Sequence, residues 1–198
     1  QSLAGSAPIL YGKEVPGFGR FELRALQLTY DMPMIYSWVQ QPYAQYWGMQ
    51  QLDFAQVLEA HEELLARPDY HIYIGTLNGQ PVFMMEQYHA CKDVLGHYYE
   101  AQQGDFGMHL LVAPCDQPIH GFTWQVFACV MDFLFDNEKV DRVVVEPDVR
   151  NDKIHALNRK AGFQYQQEID LPHKRAALAW CTRADYSLAL QQLNNHGS

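Results

Sequence analysis

A histidine in the middle of an apolar segment is the first candidate for chemistry in this sequence. His109 lies in Phe106–Val112, where alternating side chains predict a β-strand with Leu110 and Val112 on the opposite face from the histidine. An imidazole titrates near neutral pH, so this side chain can accept and return a proton during a reaction. The alternative is a hydrogen-bonded histidine of the core, and the residues alone leave both roles open.

Two carboxylates follow a second apolar segment. Glu146 and Asp148 flank Pro147 directly after Val143–Val145, and the proline restricts the conformations of this turn. In a parallel arrangement, the carboxyl end of a strand lies at the crevice where sheets bind ligands, which makes Asp148 a candidate site residue. The alternative role is a helix cap, because Asp148 or Asn151 precedes a helical segment and both residue types cap helices well.

A third candidate is a helix start that could bind an anion. Gly121 opens the predicted helix Gly121–Phe135, which is apolar on most sides and should be buried. The N–H groups in the first turn of a helix lack intrahelical partners, so they can contact a phosphate without lysine side chains. An ordinary glycine-opened helix without a ligand is the alternative.

The elements that must position these candidates predict an α+β fold. The pair Asn78-Gly79 predicts a hairpin, because both central residues of a type I′ turn have positive φ. The full predicted order is a strand at 21–26, helices at 31–38 and 52–65, strands at 71–74, 81–88, 97–102 and 106–112, a helix at 121–135, a strand at 142–146, a helix at 151–160, and strands at 163–169 and 176–182. This order predicts a mixed, mostly antiparallel sheet flanked by helices.

Composition and charge exclude several kinds of partner. The 198 residues suit one domain, and their formal net charge is −9 at pH 7. Residues 1–138 carry five basic and sixteen acidic side chains, so we expect no binding to nucleic acid or to an anionic membrane. Residues 139–175 carry eight basic and six acidic side chains, which leaves room for a local anion site.

The remaining sequence signals concern organisation and location. The four cysteines, at positions 91, 115, 129 and 181, lack the spacing of a metal site, so no metal is expected. No apolar run is long enough for a membrane span and the N-terminus lacks a signal pattern, so we expect a soluble, cytoplasmic protein. A removed leader or a fused upstream domain stays open because the chain begins with Gln1. The expected organisation is an N-terminal arm at 1–19, one domain at 20–185 and a C-terminal tail at 186–198.

The element order and several motifs resemble the GCN5-related N-acyltransferase (GNAT) fold, and most closely its siderophore-biosynthesis branch. The resemblance covers about residues 20–185 and rests on Trp38, Gly107–Val112, Gly121, Glu146–Asn151 and Gly162-Phe163. It implies an enzyme that moves an acetyl or succinyl group from coenzyme A to an N-hydroxylated amine, forming a hydroxamate by direct attack. Acyl-CoA would be a co-substrate, no cofactor would be bound permanently, and association with a siderophore synthetase is expected.

The resemblance also implies roles for individual residues. His109 matches the active-site histidine of the branch, which would accept the proton of the attacking nitrogen. Asp148 matches an aspartate that accepts a proton or holds that histidine. The implied substrate-binding residues are His109, Trp38, Glu146 and Arg150, and the implied coenzyme A-binding residues are Leu111, His120, Gly121, Phe122, Thr123 and Asn151.

The sequence departs from the superfamily pattern at two places. In Gln117–Thr123 the glycine Gly121 is present, but the second glycine of the phosphate loop is absent and Gln117 lies one residue too far away. The helix tyrosine that usually protonates the leaving thiolate is replaced by Asn158. Asn158, a water molecule or His109 could supply that proton.

Two other functions compete with this interpretation. An acetyltransferase of an ordinary polyamine or an aminoglycoside would attract its cationic substrate through the acidic N-terminal two thirds, and would need a base for an ammonium group. A non-catalytic acyl-CoA-binding module is the second, and the presence of both His109 and Asp148 counts against it. A succinyl donor would require a cation such as Arg150, Lys174 or Arg175 near its carboxylate.

Overall fold

The protein forms an eight-stranded sheet with helices, which confirms the predicted α+β class. A computed structural model describes residues 7–197. Its strands are β1 (Ile9–Val15), β2 (Gly19–Ala25), β3 (His71–Leu77), β4 (Gln80–His89), β5 (Asp105–Val112), β6 (Arg142–Val145), β7 (Gln164–Leu171) and β8 (Lys174–Thr182). Its helices are α1 (Leu28–Val39), α2 (Phe54–Leu65), α3 (Phe122–Asp136), α4 (Asp152–Ala161) and α5 (Arg183–His196).

The strand order is β1-β2-β3-β4-β5-β6-β8-β7. The pairs β1–β2, β2–β3, β3–β4, β6–β8 and β7–β8 are antiparallel. The pair β5–β6 is parallel, with Gly107 opposite Val144. The sheet is therefore mostly antiparallel, as predicted.

The chain divides into two compact units. The first consists of the described part of Gln1–Gln87 together with His109–Cys129, and the second of Tyr88–Met108 with the described part of Val130–Ser198. Strand β1 lies within the predicted arm at 1–19, and α5 extends through the predicted tail at 186–198. Residues 1–6 and 198 lie outside the described residues, and the predicted domain boundaries stay predictions.

In the first unit, α1 begins three residues before the predicted start at Asp31. The Asp31 carboxylate lies inside the first turn, 1% exposed, and accepts two hydrogen bonds from the Arg24 guanidinium at 2.8 Å each. It also accepts the backbone N–H of Gln27 at 2.7 Å. A carboxylate at a helix N-terminus compensates the unpaired N–H groups and the helix dipole, so the helix can begin at Leu28.

The hairpin between β3 and β4 confirms the turn prediction. Asn78 and Gly79 both have positive φ, of 50° and 83°. Earlier in β3, a Cβ on Gly75 would lie only 2.0 Å from the ring of Phe83, so the bare backbone at Gly75 makes room for that ring. Phe83 and Met84 are fully buried and place β4 in the core of the first unit.

In the second unit, the predicted strand at 97–102 is wrong. The chain there forms a short 3-10 helix, Val94–His97, followed by a turn. Asp93 caps the 3-10 helix by accepting the N–H of Leu95, and the Asp105 carboxylate accepts the Tyr99 hydroxyl at 2.8 Å. Side-chain hydrogen bonds of this kind offer the backbone an alternative to a strand ladder.

Helix α4 follows its prediction closely. Asn151 is the N-cap, and its side chain accepts the N–H of Ile154 at 3.4 Å. Gly162 ends the helix with φ of 100°, a conformation that favours glycine. Within residues 7–197, no helix has the length and apolar character needed to cross a membrane.

Candidate active site

His109 in β5 is held by a carboxylate from the neighbouring strand β4. Its side chain is 33% exposed, and Nδ1 lies 2.9 Å from Oε1 of Glu86. The Trp47 ring lies nearly perpendicular to the imidazole, with ring centroids 6.2 Å apart. Because a carboxylate only accepts hydrogen bonds, Nδ1 of His109 must carry a proton, and Nε2 of the neutral ring carries the lone pair. The ring is therefore in the tautomer that can accept a proton at Nε2.

Glu86 is a buried carboxylate, 3% exposed. Its Oε1 also accepts the Tyr70 hydroxyl at 2.6 Å. Burial alone would raise the pKa of Glu86, but hydrogen bonds from His109 and Tyr70, with the charges of His109 and His61, outweigh it and lower that pKa below its ordinary value. Glu86 is therefore ionised at neutral pH.

A buried histidine also lies near this carboxylate. His61 in α2 is fully buried, and its Nδ1 lies 2.8 Å from the Val57 carbonyl oxygen, so that nitrogen donates. Within residues 7–197, neither Nε2 of His61 nor Oε2 of Glu86 has a hydrogen-bond partner. The groups around Glu86 thus form a titratable cluster of one tyrosine and two histidines.

The sequence prediction missed Glu86, although a signal was present. Glu86 is the one charged residue of β4, between Met85 and Gln87 in an otherwise largely buried strand. A charge in such a strand is costly unless it is paired. That cost alone would have singled out Glu86 but could not name His109 as its partner.

The predicted anion site lies at the exposed N-terminus of α3. Gly121 has φ of 78°, and a Cβ there would meet only Phe18, at 3.9 Å, so the space beside it is open. Phe122 packs its ring on Phe21, with centroids 6.3 Å apart, which anchors the first turn. His120 and Thr123 are exposed on either side. This geometry leaves room for an anion at the helix start.

Two other predicted residues of the first unit are buried. Trp38 in α1 is 7% exposed and Leu111 in β5 is 4% exposed. Their side chains belong to the core of this unit. A contact between Leu111 and a ligand would therefore use the backbone of β5.

In the second unit, Asp148 is paired with Arg150 and does not cap α4, since Asn151 is the N-cap. Asp148 is 6% exposed and accepts the Arg150 guanidinium at both oxygens, each at 2.9 Å, and the Arg150 N–H at 2.9 Å. The hydrogen bond from the Arg150 side chain lowers the pKa of Asp148 to about 2, although burial alone would raise it. A carboxylate with so low a pKa is a weak base.

Glu146 is buried beside a tyrosine of its own unit. It is 8% exposed, and its Oε2 accepts the Tyr88 hydroxyl at 2.9 Å. The Tyr88 ring lies directly over β5, since a Cβ on Gly107 would be 2.0 Å from it. The glycine that begins the Gly107–Val112 motif is therefore required by this tyrosine.

Asn158 occupies the position at which the superfamily pattern has a tyrosine. It is fully buried, and its amide donates to the Tyr165 hydroxyl of β7 at 3.2 Å. Nδ1 of His155 contacts the same hydroxyl. Among residues 7–197, Oδ1 of Asn158 has no hydrogen-bond partner. The amide nitrogen of Asn158 is thus engaged by a tyrosine from the following strand.

The structure distributes the predicted residues over both units. The first holds Trp38, His109, Leu111, His120, Gly121, Phe122 and Thr123, and the second holds Glu146, Asp148, Arg150 and Asn151. Among residues 7–197, no group of three or more His, Cys, Asp or Glu side chains is arranged to hold a metal ion.

Comparison with known families identifies the fold. Residues 27–171 match the family described as the acetyltransferase (GNAT) domain. The chain belongs to the GNAT acetyltransferase family. The predicted resemblance to GNAT enzymes is therefore confirmed, and so is the prediction that this protein is an N-acyltransferase.

Two curated relatives of this GNAT protein resemble it over most of their length. N-hydroxyputrescine acetyltransferase from Acinetobacter baumannii is 26% identical over 84% of this chain and 79% of its own. Lysine N-acyltransferase MbtK from Mycobacterium tuberculosis is 30% identical over 80% of this chain and 75% of its own. Among solved structures, aminoglycoside acetyltransferase AAC(6')-Ib in complex with coenzyme A has a TM-score of 0.75 and 25% identity, over 85% of this chain and 98% of that one.

Proposed function

We propose that this GNAT acetyltransferase transfers an acyl group from acyl-coenzyme A to the nitrogen of an N-hydroxylated amine and so forms a hydroxamate. The observation that carries the proposal is the 2.9 Å contact between Nδ1 of His109 and Oε1 of Glu86, from which we assign the lone pair to Nε2. The similarity to N-hydroxyputrescine acetyltransferase supports this substrate class.

The chemistry needs one base of moderate strength. The substrate nitrogen attacks the thioester carbon, its proton passes to Nε2 of His109, and the C–S bond breaks. The imidazolium then returns the proton to the leaving thiolate, so the products are the hydroxamate and free coenzyme A. A hydroxylamine nitrogen is less basic than an alkylamine and is largely neutral at pH 7, so an imidazole suffices as the bond forms.

Coenzyme A is proposed to bind with its phosphates at the N-terminus of α3. Gly121 is exposed with open space beside it, and the helix start supplies N–H groups for an anion. The structure of AAC(6')-Ib with coenzyme A supports the same co-substrate. The proposed contacts are Leu111, His120, Gly121, Phe122, Thr123 and Asn151.

Asp148 is proposed to act through Arg150 in binding the substrate. With a pKa of about 2, its carboxylate is too weak a base to take a proton from nitrogen, so that step falls to His109. Asp148 instead holds the exposed Arg150 side chain in one orientation. Trp38 and Glu146 are the remaining proposed substrate-binding residues.

We propose acetyl as the acyl group. A succinyl carboxylate would need a cation, but Arg150 is already paired with Asp148. Arg175 is paired with both Glu168, at 2.9 Å, and Asp170, at 2.7 Å. Two of the three cations considered for succinyl are thus engaged by carboxylates. The cytoplasmic location and the association with a siderophore synthetase stay predictions.

Acetylation of an aminoglycoside or a polyamine is the second candidate, favoured by the structural similarity to AAC(6')-Ib. A primary alkylammonium like that of lysine has a pKa of about 10.4, so only about one such polyamine nitrogen in 10³ is neutral at pH 7. The contact between His109 and Glu86 supports the proposal of a substrate that is already neutral.

Thiol release from acetyl-CoA tests the two candidates. We expect kcat/KM with N-hydroxyputrescine to exceed that with putrescine or kanamycin by at least about 10²-fold, because of the difference in neutral fraction. The product should bind ferric iron as a hydroxamate. A higher kcat/KM with kanamycin or putrescine would overturn the proposed substrate class. If the protein binds acetyl-CoA but releases no coenzyme A thiol with any of these amines, the result would favour a non-catalytic module.

A further inference from the structure

We propose that Glu86 is a positioning residue for the acyl transfer, because its carboxylate holds His109 in the tautomer that has its lone pair on Nε2. The proposal rests on the proposed function in assigning proton transfer to His109. Glu86 lies 23 positions before His109 in the chain, and the two meet because β4 and β5 are neighbours in the sheet.

Two hydrogen bonds to the same oxygen restrain the carboxylate of Glu86. The Tyr70 hydroxyl and Nδ1 of His109 both reach Oε1, at 2.6 Å and 2.9 Å. Both strands that carry the pair are regular elements, and a site on strands is held more precisely than one on loops. Glu86 is 3% exposed whereas the His109 side chain is 33% exposed. The carboxylate is thus enclosed while the imidazole remains accessible.

The charge of Glu86 also favours the protonated form of His109. When the imidazole takes a proton at Nε2, its positive charge forms beside a buried negative charge, where Coulomb attraction is stronger than in water. The described titratable groups that face Glu86 are Tyr70, His61 and His109. Tyr70 only donates a hydrogen bond, so the negative charge is available to His109 and His61. A carboxylate behind a histidine acts in this way in the serine protease triad.

A glutamine at this position separates positioning from packing. Glu86→Gln keeps the shape of the side chain and can still accept the Tyr70 hydroxyl. It removes the negative charge. Because Tyr70 and His109 both contact the Oε1 position, the amide accepts from both when its oxygen lies there; when its nitrogen lies there, it donates to Nδ1 and selects the other tautomer of His109. If Glu86 only packed and satisfied hydrogen bonds, this variant would be nearly silent in catalysis.

Kinetics with acetyl-CoA and N-hydroxyputrescine form the first part of the test. We expect Glu86→Gln to lower kcat about 10²-fold with KM for acetyl-CoA unchanged. The acidic limb of the kcat–pH profile should move to lower pH by about one unit, because the imidazolium loses its negative partner. The control Glu14→Gln, which removes a 70% exposed carboxylate of β1 that pairs with Arg20, should stay within about threefold of wild type.

A double variant tests whether Glu86 acts through His109. In the His109→Ala background, Glu86→Gln should cause no further loss of kcat, because residues that act as a unit are not additive. A loss as large as in the wild-type background would overturn the proposal. An unchanged pH profile of Glu86→Gln would overturn it as well.

Nitrogen-15 NMR of histidine-labelled protein reads the tautomer without any substrate. We expect neutral His109, assigned by its absence in His109→Ala, to carry its proton on Nδ1 in wild type, and on Nε2 in a substantial fraction of Glu86→Gln. A wild-type His109 protonated on Nε2 would overturn the proposal even if Glu86→Gln does not fold. The tautomer in wild type can match this expectation while acetyl-CoA releases no thiol in the presence of N-hydroxyputrescine. In that case Glu86 still positions His109, and only the proposed substrate is contradicted.

Discussion

The ion pair between Asp148 and Arg150 makes a stability prediction that depends on pH. Asp148→Asn keeps an oxygen for the N–H and Nε of Arg150 but loses the charge and the acceptor for the second guanidinium nitrogen. The fall of the Asp148 pKa from 3.8 to about 2 corresponds to about 2.5 kcal/mol. Because the Arg150 side chain is 73% exposed, solvent screening reduces this to about 1 kcal/mol.

The sign of the pH dependence follows from the lowered pKa. A carboxylate whose pKa is lower in the folded state contributes stability above its unfolded pKa, and this contribution disappears as the pH falls through the folded value. We therefore expect Asp148→Asn to be less stable than wild type by about 1 kcal/mol at pH 7. The difference should shrink between about pH 4 and pH 2.

Urea denaturation followed by circular dichroism at several pH values measures this difference. In a separate thermal unfolding experiment at pH 7, the melting temperature of Asp148→Asn should fall by about 2–4 °C. The control is Asn151→Ala, which removes the N-cap of α4 and should cost about 1 kcal/mol at every pH in that range. A difference between Asp148→Asn and wild type that is the same at pH 3 and pH 7 would refute the ion-pair argument.

Three further variants test other parts of the structure. His109→Ala should lower kcat by about 10²–10⁴-fold while the Kd for acetyl-CoA, measured by calorimetry, stays near the wild-type value; an equal loss of both would make His109 a residue of the core. Gly121→Leu should weaken binding of coenzyme A more than binding of dephosphorylated pantetheine, whereas Gly79→Leu, with a similar φ of 83° and open space, should affect neither; an equal loss for both ligands would exclude the helix start as a phosphate site. Arg24→Met should destabilise the fold by about 3–5 kcal/mol in urea titrations because it leaves the buried Asp31 charge unpaired, and a loss below about 1 kcal/mol would contradict that reason.

Local signals in the sequence were sufficient for several elements. Asn78-Gly79 predicts its hairpin because the turn needs positive φ at two adjacent residues, and Gly162 predicts the end of α4 for a similar reason. Asn151 was predicted as one of two possible caps for the same helix. In each case the interaction that forms the element lies within four residues, so neighbouring residue types suffice to predict it.

Signals that depend on distant residues were read incorrectly or missed. The sequence predicts the first helix from residue 31, and aspartate is a common helix cap. The helix begins at Leu28 because Arg24, on β2, binds the Asp31 carboxylate inside the first turn. The strand predicted at 97–102 fails because Asp105 binds the Tyr99 hydroxyl and the turn forms instead.

The sequence by itself determined the family, the α+β class and the position of His109 on a strand, because these follow from motifs and from side-chain periodicity. Only the tertiary structure decided what His109 is bonded to and which tautomer it adopts, because the pairing of β4 with β5 brings Glu86 beside it. The tertiary structure likewise decided that Asp148 is an ion-pair partner of Arg150 with a lowered pKa, and that Asn151 caps α4 instead. A proton affinity depends on the charges and burial around a group, and those are set by contacts between residues that are distant in the chain.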